Sequence, residues 1–482
     1  MSAEIIVLLC ALGALAIFVC VLLVRGALFK PYWENRGEIE AFDINVDKAA
    51  SDLSLMLQCK TVSDVNKDNE DESEFIKFKE LLPKLFPKVF EACTYEEISD
   101  RSLLFKWNGE FHDSPTVLMS HYDVVSVQEE HWEKPPFCGI IEDGVLWGRG
   151  ALDTKGTLNG VLQSAEKLIS EGFVPKNDIY FAFGGDEEIN GHGASDIVEL
   201  FITRGITPGL VVDEGGAVVT NVFPGVKSPC AMIGIAEKGM LNIEYSVSGG
   251  GGHASSPAPT TPIGKLSKAC VKMEKNPFKM IIPEPTKKLL DTLGRNSTFL
   301  FRVIFANLAI FKPVLNLITK KSGGELNALM RTTVAFTQME GSKGMNVIPA
   351  YARMISNHRI IPGETVDSAV ALIEKTVADT GVSVRKVSGM NPSVVSRTDC
   401  EAWERVKKAT SETWQDAIVS PYLMVACSDS RHWGAISDKV YRFSAMALSK
   451  EERGTIHGNN ERVPLSTIEK TVEFYLRLMK NS

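Results

Sequence analysis

The sequence predicts an α/β protein in which helices flank a mainly parallel central sheet, with an α+β domain inserted and a single apolar helix in front. Three observations carry that expectation. Strand-like and helix-like stretches alternate through the first half, the texture changes at Lys238 and returns near residue 391, and the amino terminus holds an unbroken apolar run. Alternating strand and helix is the pattern of a sheet covered on both faces. A chain of 482 residues exceeds one ordinary core, and 44% hydrophobic with 23% charged residues is a folding composition, so two or three domains are expected.

The first element is Ile5 to Val24, which contains no charge. Twenty such residues in a helix suffice to cross a hydrocarbon core of about 30 Å. A cleaved signal peptide is the alternative, but a basic n-region and a small-x-small cleavage site are both missing. Arg25 and Lys30 follow the run and only Glu4 precedes it, which by the positive-inside rule keeps the body in the cytoplasm. The sequon Asn296-Ser297-Thr298 points the other way. Residues 1–30 are therefore taken as a single-pass membrane anchor, with the side faced by the body left open.

Residues 31–45 form a polar connector, and 46–58 carries apolar positions at helical spacing before the acidic stretch VNKDNEDESEF, a solvated loop or helix start. Strand-like runs follow at 115–119, 178–185 and 208–213, separated by helical patterns at 156–172 and 194–205. At Lys238, KGMLNIEYSVSG alternates like a strand and runs into SGGGGHASSP. Further strands are expected at 352–360 and 382–389, with a helix at 368–379 between them. A helix at CEAWERVKKATSETW then leads back towards a final strand and the loop near SKEERGTIHGNNERV. The expected division is 31–237 and 391–482 for the main domain and 238–390 for the insertion.

The net charge of -8 shows no basic stripe that could neutralise phosphates, which argues against a nucleic-acid partner. Cys59, Cys93, Cys138, Cys230, Cys270, Cys400 and Cys427 are scattered without paired spacing, so neither a disulfide framework nor a CxxC metal site is indicated.

In open α/β sheets reactive groups collect beyond the carboxyl ends of the strands. Here those positions hold acids and histidines: His121 and Asp123 after PTVLMS, Asp153 in WGRGALD, Asp186, Glu187 and Glu188 after YFAFGG, Asp213 and Glu214 in VVDEGG, and His457 in GTIHG. Any one of them is more often a cap or a loop acceptor. Several strand ends presenting acceptors to the same edge are better explained by a site. Nitrogen and oxygen donors without cysteine suit zinc, manganese or cobalt, and the carboxylate surplus suits two ions sharing one ligand.

Taken in order, SHYDVV, WGRGALDTKG, GDEEING, VVDEGG, GGHASSP, NVIP and TIHGNNERV resemble the dinuclear zinc family of aminoacylases, glutamate carboxypeptidase and succinyl-diaminopimelate desuccinylase. The stretch between GGHASSP and NVIP is similar to the carboxypeptidase S and N-fatty-acyl-amino-acid hydrolase branch. The resemblance covers nearly everything after the anchor. It implies a zinc-peptidase-like catalytic domain with an inserted α+β lid that also serves dimerisation. It implies two zinc ions, for which cobalt or manganese can substitute, with His121, Asp153 and Asp213 holding one, Asp153 bridging, and Glu188 and His457 completing the second. Asp123 would orient His121, Glu187 would be the general base, and His253 the lid histidine that supports the oxyanion. Asn346 and Arg359 would bind the substrate's free carboxylate.

The activity so implied is hydrolysis of the amide bond of an N-acyl amino acid or short peptide next to a free carboxyl-terminal residue. An aminopeptidase or tripeptidase with the same metal site, and a non-catalytic membrane-tethered binding domain, are the alternatives. His112, His131, His192, His358 and His432 lack ligand-like context, while Asp429, Ser430 and Arg431 are candidates to line the pocket. The segment 299–318 (FLFRVIFANLAIFKPVLNLI) is interrupted by Arg302, Lys312 and Pro313. Each central charge would cost about 2.5–3.5 kcal/mol to insert in a bilayer, so a second crossing is not expected. A helix packed in the lid core is expected instead, the alternative being an acyl-chain groove or an element resting on the bilayer surface.

Overall fold

Eight strands build the larger sheet in the order Thr94–Ile98, Ser102–Trp107, Asn177–Gly184, Phe111–His121, Leu210–Val219, Val440–Ala447, Cys230–Glu237 and Ile418–Met424. The structure, a computed structural model, describes residues 2–32 and 38–482, so the expected connector at 31–45 lies partly outside the described residues. The middle of the sheet is parallel, from Asn177–Gly184 through Phe111–His121 and Leu210–Val219 to Val440–Ala447. Antiparallel pairing enters at the hairpin Thr94–Trp107, where the short connection after Ile98 leaves no room for a crossover helix. It enters again between Val440–Ala447 and Cys230–Glu237. Cys230–Glu237 is buried at every position, as a strand covered on both faces must be.

On one face the helices Val46–Leu57, Lys155–Ser170 and Leu465–Lys480 pack together. Close approach there depends on Gly160, where a Cβ would lie 2.5 Å from Thr471 Cγ2. The other face is covered by Gly193–Arg204 and the short turn Asp429–Ala435, around a core that includes Tyr180, Phe201 and Trp433.

A second, antiparallel sheet orders Thr333–Glu340, Tyr351–Ile360, Gly239–Ser248 and Ser383–Met390. Tyr351–Ile360 buries every second side chain, including Met354 and Ile360, which is the period of a one-sided sheet. Helices Pro262–Lys275 and Val366–Val377 cover the buried face and complete a separate core. The molecule thus has an α/β body and an α+β sub-domain.

The segment 299–318 departs from its expectation. It forms two short helices, Phe299–Ala306 and Leu308–Ser322, bent by 105° at Asn307. They are not in the lid core. Helix Glu284–Arg295 packs on the edge strand Ile418–Met424, and its Leu289, Leu290 and Leu293 belong to the core of the larger sheet, with Phe305 and Leu308 against them. The physical reason is the apolar edge of that sheet, which would otherwise be bare. The outer sides keep Leu300, Val314, Leu317 and Ile318 exposed.

Helix Ala3–Leu28 is long and apolar enough to cross a membrane, and Gly26 is its one buried residue among those described. Gly26 lies against Val303, where a Cβ would stand 2.5 Å from Cγ2, and the Asn307 amide donates to Leu22 O at 3.2 Å.

The buried ion pair between Arg442 and Glu237 (3.2 Å) lies on neighbouring strands, and the other oxygen of Glu237 accepts the Ser428 N–H at 2.7 Å. Arg442→Leu would strand a buried carboxylate. The expected result is a loss of about 3–5 kcal/mol in stability, read as an earlier denaturant midpoint.

Candidate active site

His121 and the Glu187–Glu188 turn stand at the ends of parallel strands and Glu214 lies within one, whereas Asp153 follows the short antiparallel strand Val145–Trp147 and His457 follows helix Lys450–Arg453. His121 closes Phe111–His121, and its Nδ1 faces Asp123 O at 3.0 Å and Asp123 Oδ1 at 3.3 Å. That contact fixes the imidazole plane and turns Nε2 outward, where it meets Asp153 Oδ1 at 3.0 Å. The other oxygen of Asp153 lies 3.0 Å from His457 Nε2, and His457 Nε2 is also 3.1 Å from Glu188. One carboxylate therefore offers an oxygen to each imidazole.

Donor atoms of His121, Asp153 and Glu188 lie within 4.8 Å of one another, as do those of His121, Glu187 and Glu214. Nitrogen and oxygen donors, a carboxylate set between two imidazoles and an absence of thiols among these donors fit a pair of divalent cations such as zinc.

Asp213 is placed differently from its expectation. Its Oδ2 accepts the Ser430 N–H at 2.9 Å, while Glu214 Oε2 approaches His121 Nε2 to 3.8 Å. Successive side chains of a strand point to opposite faces, so of the two only one can turn to His121. In Leu210–Val219 that residue is Glu214.

The electrostatics are those of a site short of positive charge. Burial drives the carboxyls of Glu187 and Glu214 well above the ordinary glutamate value, with neighbouring Asp429 adding to the first and Asp153 to the second. Burial and then Asp213 push Asp429 up to about 7. Hydrogen bonds to Asp153 and Glu188 raise His457 to about 10. Burial opposes charge on His121, but Asp123 and Asp153 hold its pKa well above that of free imidazole.

Asp123 does more than orient His121. Its oxygens accept the backbone N–H groups of Glu187 (3.2 Å) and Glu188 (3.1 Å) and the Ser63 hydroxyl (2.7 Å), fixing the turn that carries both glutamates. Asp186, by contrast, accepts the Gly193 N–H at the start of the next helix, a structural contact.

Sequence reasoning missed Arg149 and Glu461. Glu461 is fully buried and accepts N–H groups from Gly150, Leu152 and Asp153, while its other partner, the Arg149 guanidinium at 2.5 Å, also donates to Gly458 O. This pair ties the Asp153 loop to the His457 loop. It holds His457 in the left-handed region (φ 55°), which residues with a Cβ seldom adopt. The only sequence signal was a charge of each sign beside the two ligand motifs.

The remaining candidates lie apart from this cluster. Arg359 Nη1 donates to Cys427 Sγ at 3.3 Å, and the loop that follows, Ser428 to Ser430, reaches Asp213. His253 and Asn346 are exposed on the lid ribbon, where the Ala254 N–H donates to Asn346 O at 2.9 Å and His253 Nδ1 meets Ser255 Oγ at 2.7 Å. Neither has a hydrogen bond or ion pair with the cluster among the described residues. His112 pairs with Asp178, and His358 bonds Ser356 inside the lid core. His131, His192 and His432 have no place in the cluster.

Comparison with known proteins gives concordant results. The sequence profile of Peptidase family M20/M25/M40 matches residues 117–481. The probable carboxypeptidase S-like 2 of Dictyostelium discoideum is 36% identical over 443 residues, covering 90% of this chain and 85% of that protein. The N-fatty-acyl-amino acid synthase/hydrolase PM20D1 of Xenopus tropicalis is 35% identical, covering 89% and 85%. Among solved structures, the M20 family metallo-carboxypeptidase Sso-CP2 of Sulfolobus solfataricus superposes with a TM-score of 0.67 at 17% identity, covering 90% of this chain and 98% of that one, a likeness of fold.

Glu214 and Asp213 make different demands on substitution. Glu214→Ala is expected to reduce bound metal from about two ions per chain towards one, whereas Asp213→Asn should retain both; metal analysis after dialysis reads the difference. Asp123→Ala should weaken metal affinity about 10–100-fold, measured by chelator competition.

Proposed function

The chain belongs to peptidase family M20/M25/M40 and is a zinc-dependent metallohydrolase, and from that premise we propose that it cleaves the amide bond of N-acyl amino acids or short peptides next to a free carboxyl-terminal residue. The observation that carries this reading is the Asp153 carboxylate set between His121 and His457 with Glu188 and Glu214 on its flanks. His121 with Glu214 would hold one zinc, Glu188 with His457 the other, and Asp153 both. When bound, such a pair polarises a carbonyl and brings the pKa of water down towards about 7.

The chain's own residues do the rest. Glu187 is the acid of the cluster left over once each cation has its donors, so it takes the proton of the attacking water and returns it to the departing amine. Its backbone is locked by Asp123, which keeps that carboxyl beside His121 and Glu214. Arg359 has no carboxylate partner among the described residues, and a half-buried guanidinium in that condition suits the substrate's carboxylate. Asn346 is assigned to the same carboxylate and His253 to the oxyanion. Their exposure on the lid ribbon leaves both available to a bound substrate, including one held by a second copy in a dimer through the lid.

The relatives named above extend to carboxypeptidase S-like and N-fatty-acyl-amino acid proteins, which supports acyl-amino acids as the substrate class. Ala3–Leu28 is assigned as the membrane anchor. The domain division proposed is 1–30 for the anchor, 31–237 with 391–482 for the catalytic domain and 238–390 for the insertion.

Glu187→Ala is expected to fold and keep its metal while kcat falls by about 10²–10⁴. Assay of N-acyl amino acids, their carboxyl methyl esters and amine-free dipeptide analogues checks substrate class: esterification of the carboxylate should abolish turnover.

A further inference from the structure

Three cavities line up between the metal cluster and the anchor helix. The innermost, about 130 Å³, is lined by Leu152, Gly215 and Ile456, which are the chain neighbours of Asp153, Glu214 and His457. It shares Val222, Met232 and Glu325 with a second cavity of about 370 Å³, whose far wall is Leu289, Leu293 and Leu326 from the insertion. Phe223 lines that second cavity, and its ring sits 4.9 Å from Phe305, which lines a third of about 450 Å³ beside Leu28 and Phe29 at the end of the anchor helix. Polar groups are few along the inner stretch. Glu325 is met by the Tyr422 hydroxyl at 3.3 Å, and Arg453 and Ser444 also line the innermost cavity.

We infer that this series is an acyl-chain channel, in which the tail of an N-acyl amino acid lies with its amide at the metal cluster and its methyl end towards the bilayer beside Ala3–Leu28. The inference rests on the acyl-amino-acid reading above. The exposed Leu300, Val314, Leu317 and Ile318 on the helices that form the outer mouth favour a lipid surface there, and Arg302, Lys312, Lys320 and Lys321 on the same helices can reach headgroups. A soluble substrate would need no such mouth. The segment Glu284–Ser322 of the insertion, which lies outside the lid core, thereby has a role: it walls the channel from the edge of the larger sheet.

The test uses the full-length chain in phosphatidylcholine vesicles with N-acyl phenylalanines from acetyl to oleoyl. In the unaltered protein kcat/KM should rise with chain length, by up to about fourfold per added methylene while the channel fills. Val222→Trp, a half-buried position where the two inner cavities join, should lower the oleoyl-to-acetyl ratio of kcat/KM at least tenfold. An unchanged ratio overturns the channel. A second measurement needs no variant: a diazirine at the end of the acyl chain should crosslink to peptides containing Leu289, Leu293 or Leu326, and crosslinking confined to the lid overturns the proposal. If N-acyl amino acids of every length are inert and dipeptides are cleaved, the acyl-amino-acid reading itself falls and the channel with it. If N-acyl amino acids are cleaved without these signatures, the channel alone falls.

Discussion

The arrangement of the catalytic body follows from one constraint: acidic side chains are gathered in a buried place with too little positive charge of their own. Asp123, Asp153, Glu187, Glu188 and Glu214 surround His121 and His457, with Asp213 and Asp429 behind them, and among the described residues Arg431, 3.8 Å from Asp429, and buried Lys155 near Asp123 are too few to balance them. Buried carboxylates without partners are expensive, because desolvation disfavours the charged form. Two divalent cations would relieve that cost, and Asp153, set between the two imidazoles, is the carboxylate they would share. The parallel strands make much of the gathering feasible, since they deliver His121, the glutamate turn and Glu214 to one edge, where the Asp153 loop arrives from the small antiparallel sheet that holds Val145–Trp147.

A site of this kind needs rigid loops, and the fold supplies them through buried acids that touch no substrate. Asp123 collects two backbone N–H groups of the glutamate turn, Glu461 collects three from the Asp153 loop, and Glu237 holds Ser428 while pairing with Arg442. Each spends one carboxylate on several donors, which satisfies backbone groups that a loop would otherwise leave open. The loops therefore behave as parts of the sheet. A ligand loop free to relax would separate the two histidines from Asp153 and lose the shared geometry.

Much of this was legible in the sequence, and what was not has a physical explanation. The strand ends before His121 and Glu188 could be read because apolar runs terminate abruptly in acids and histidines. Helices such as Lys155–Ser170 and Gly193–Arg204 fell within a few residues of expectation because their apolar period is regular. The choice between Asp213 and Glu214 was not legible, since adjacent acids on one strand differ only in the face they take. Arg149 and Glu461 were missed because a pair 312 residues apart leaves no local signal. The bend at Asn307 was hidden for another reason. Composition shows an apolar stretch with interruptions, while its fold depends on two surfaces far off in the chain, the sheet edge and the amino-terminal helix.

That last dependence links the amino-terminal helix to the chemistry. Leu22 and Gly26 contact the insertion at Asn307 and Val303, Phe305 stacks near Phe223, and Phe223 borders the cavity lined by Met232 of the strand Cys230–Glu237. The same strand ends in Glu237, which holds the Ser428 loop against Asp213. Packed interiors transmit position because they have little free volume to absorb a shift. A helix joined to the body by connector alone would be free to turn relative to the site. Here the end of the helix is keyed into the body by a glycine contact and an asparagine hydrogen bond, so the apolar helix and the carboxylate cluster keep a fixed relation to each other.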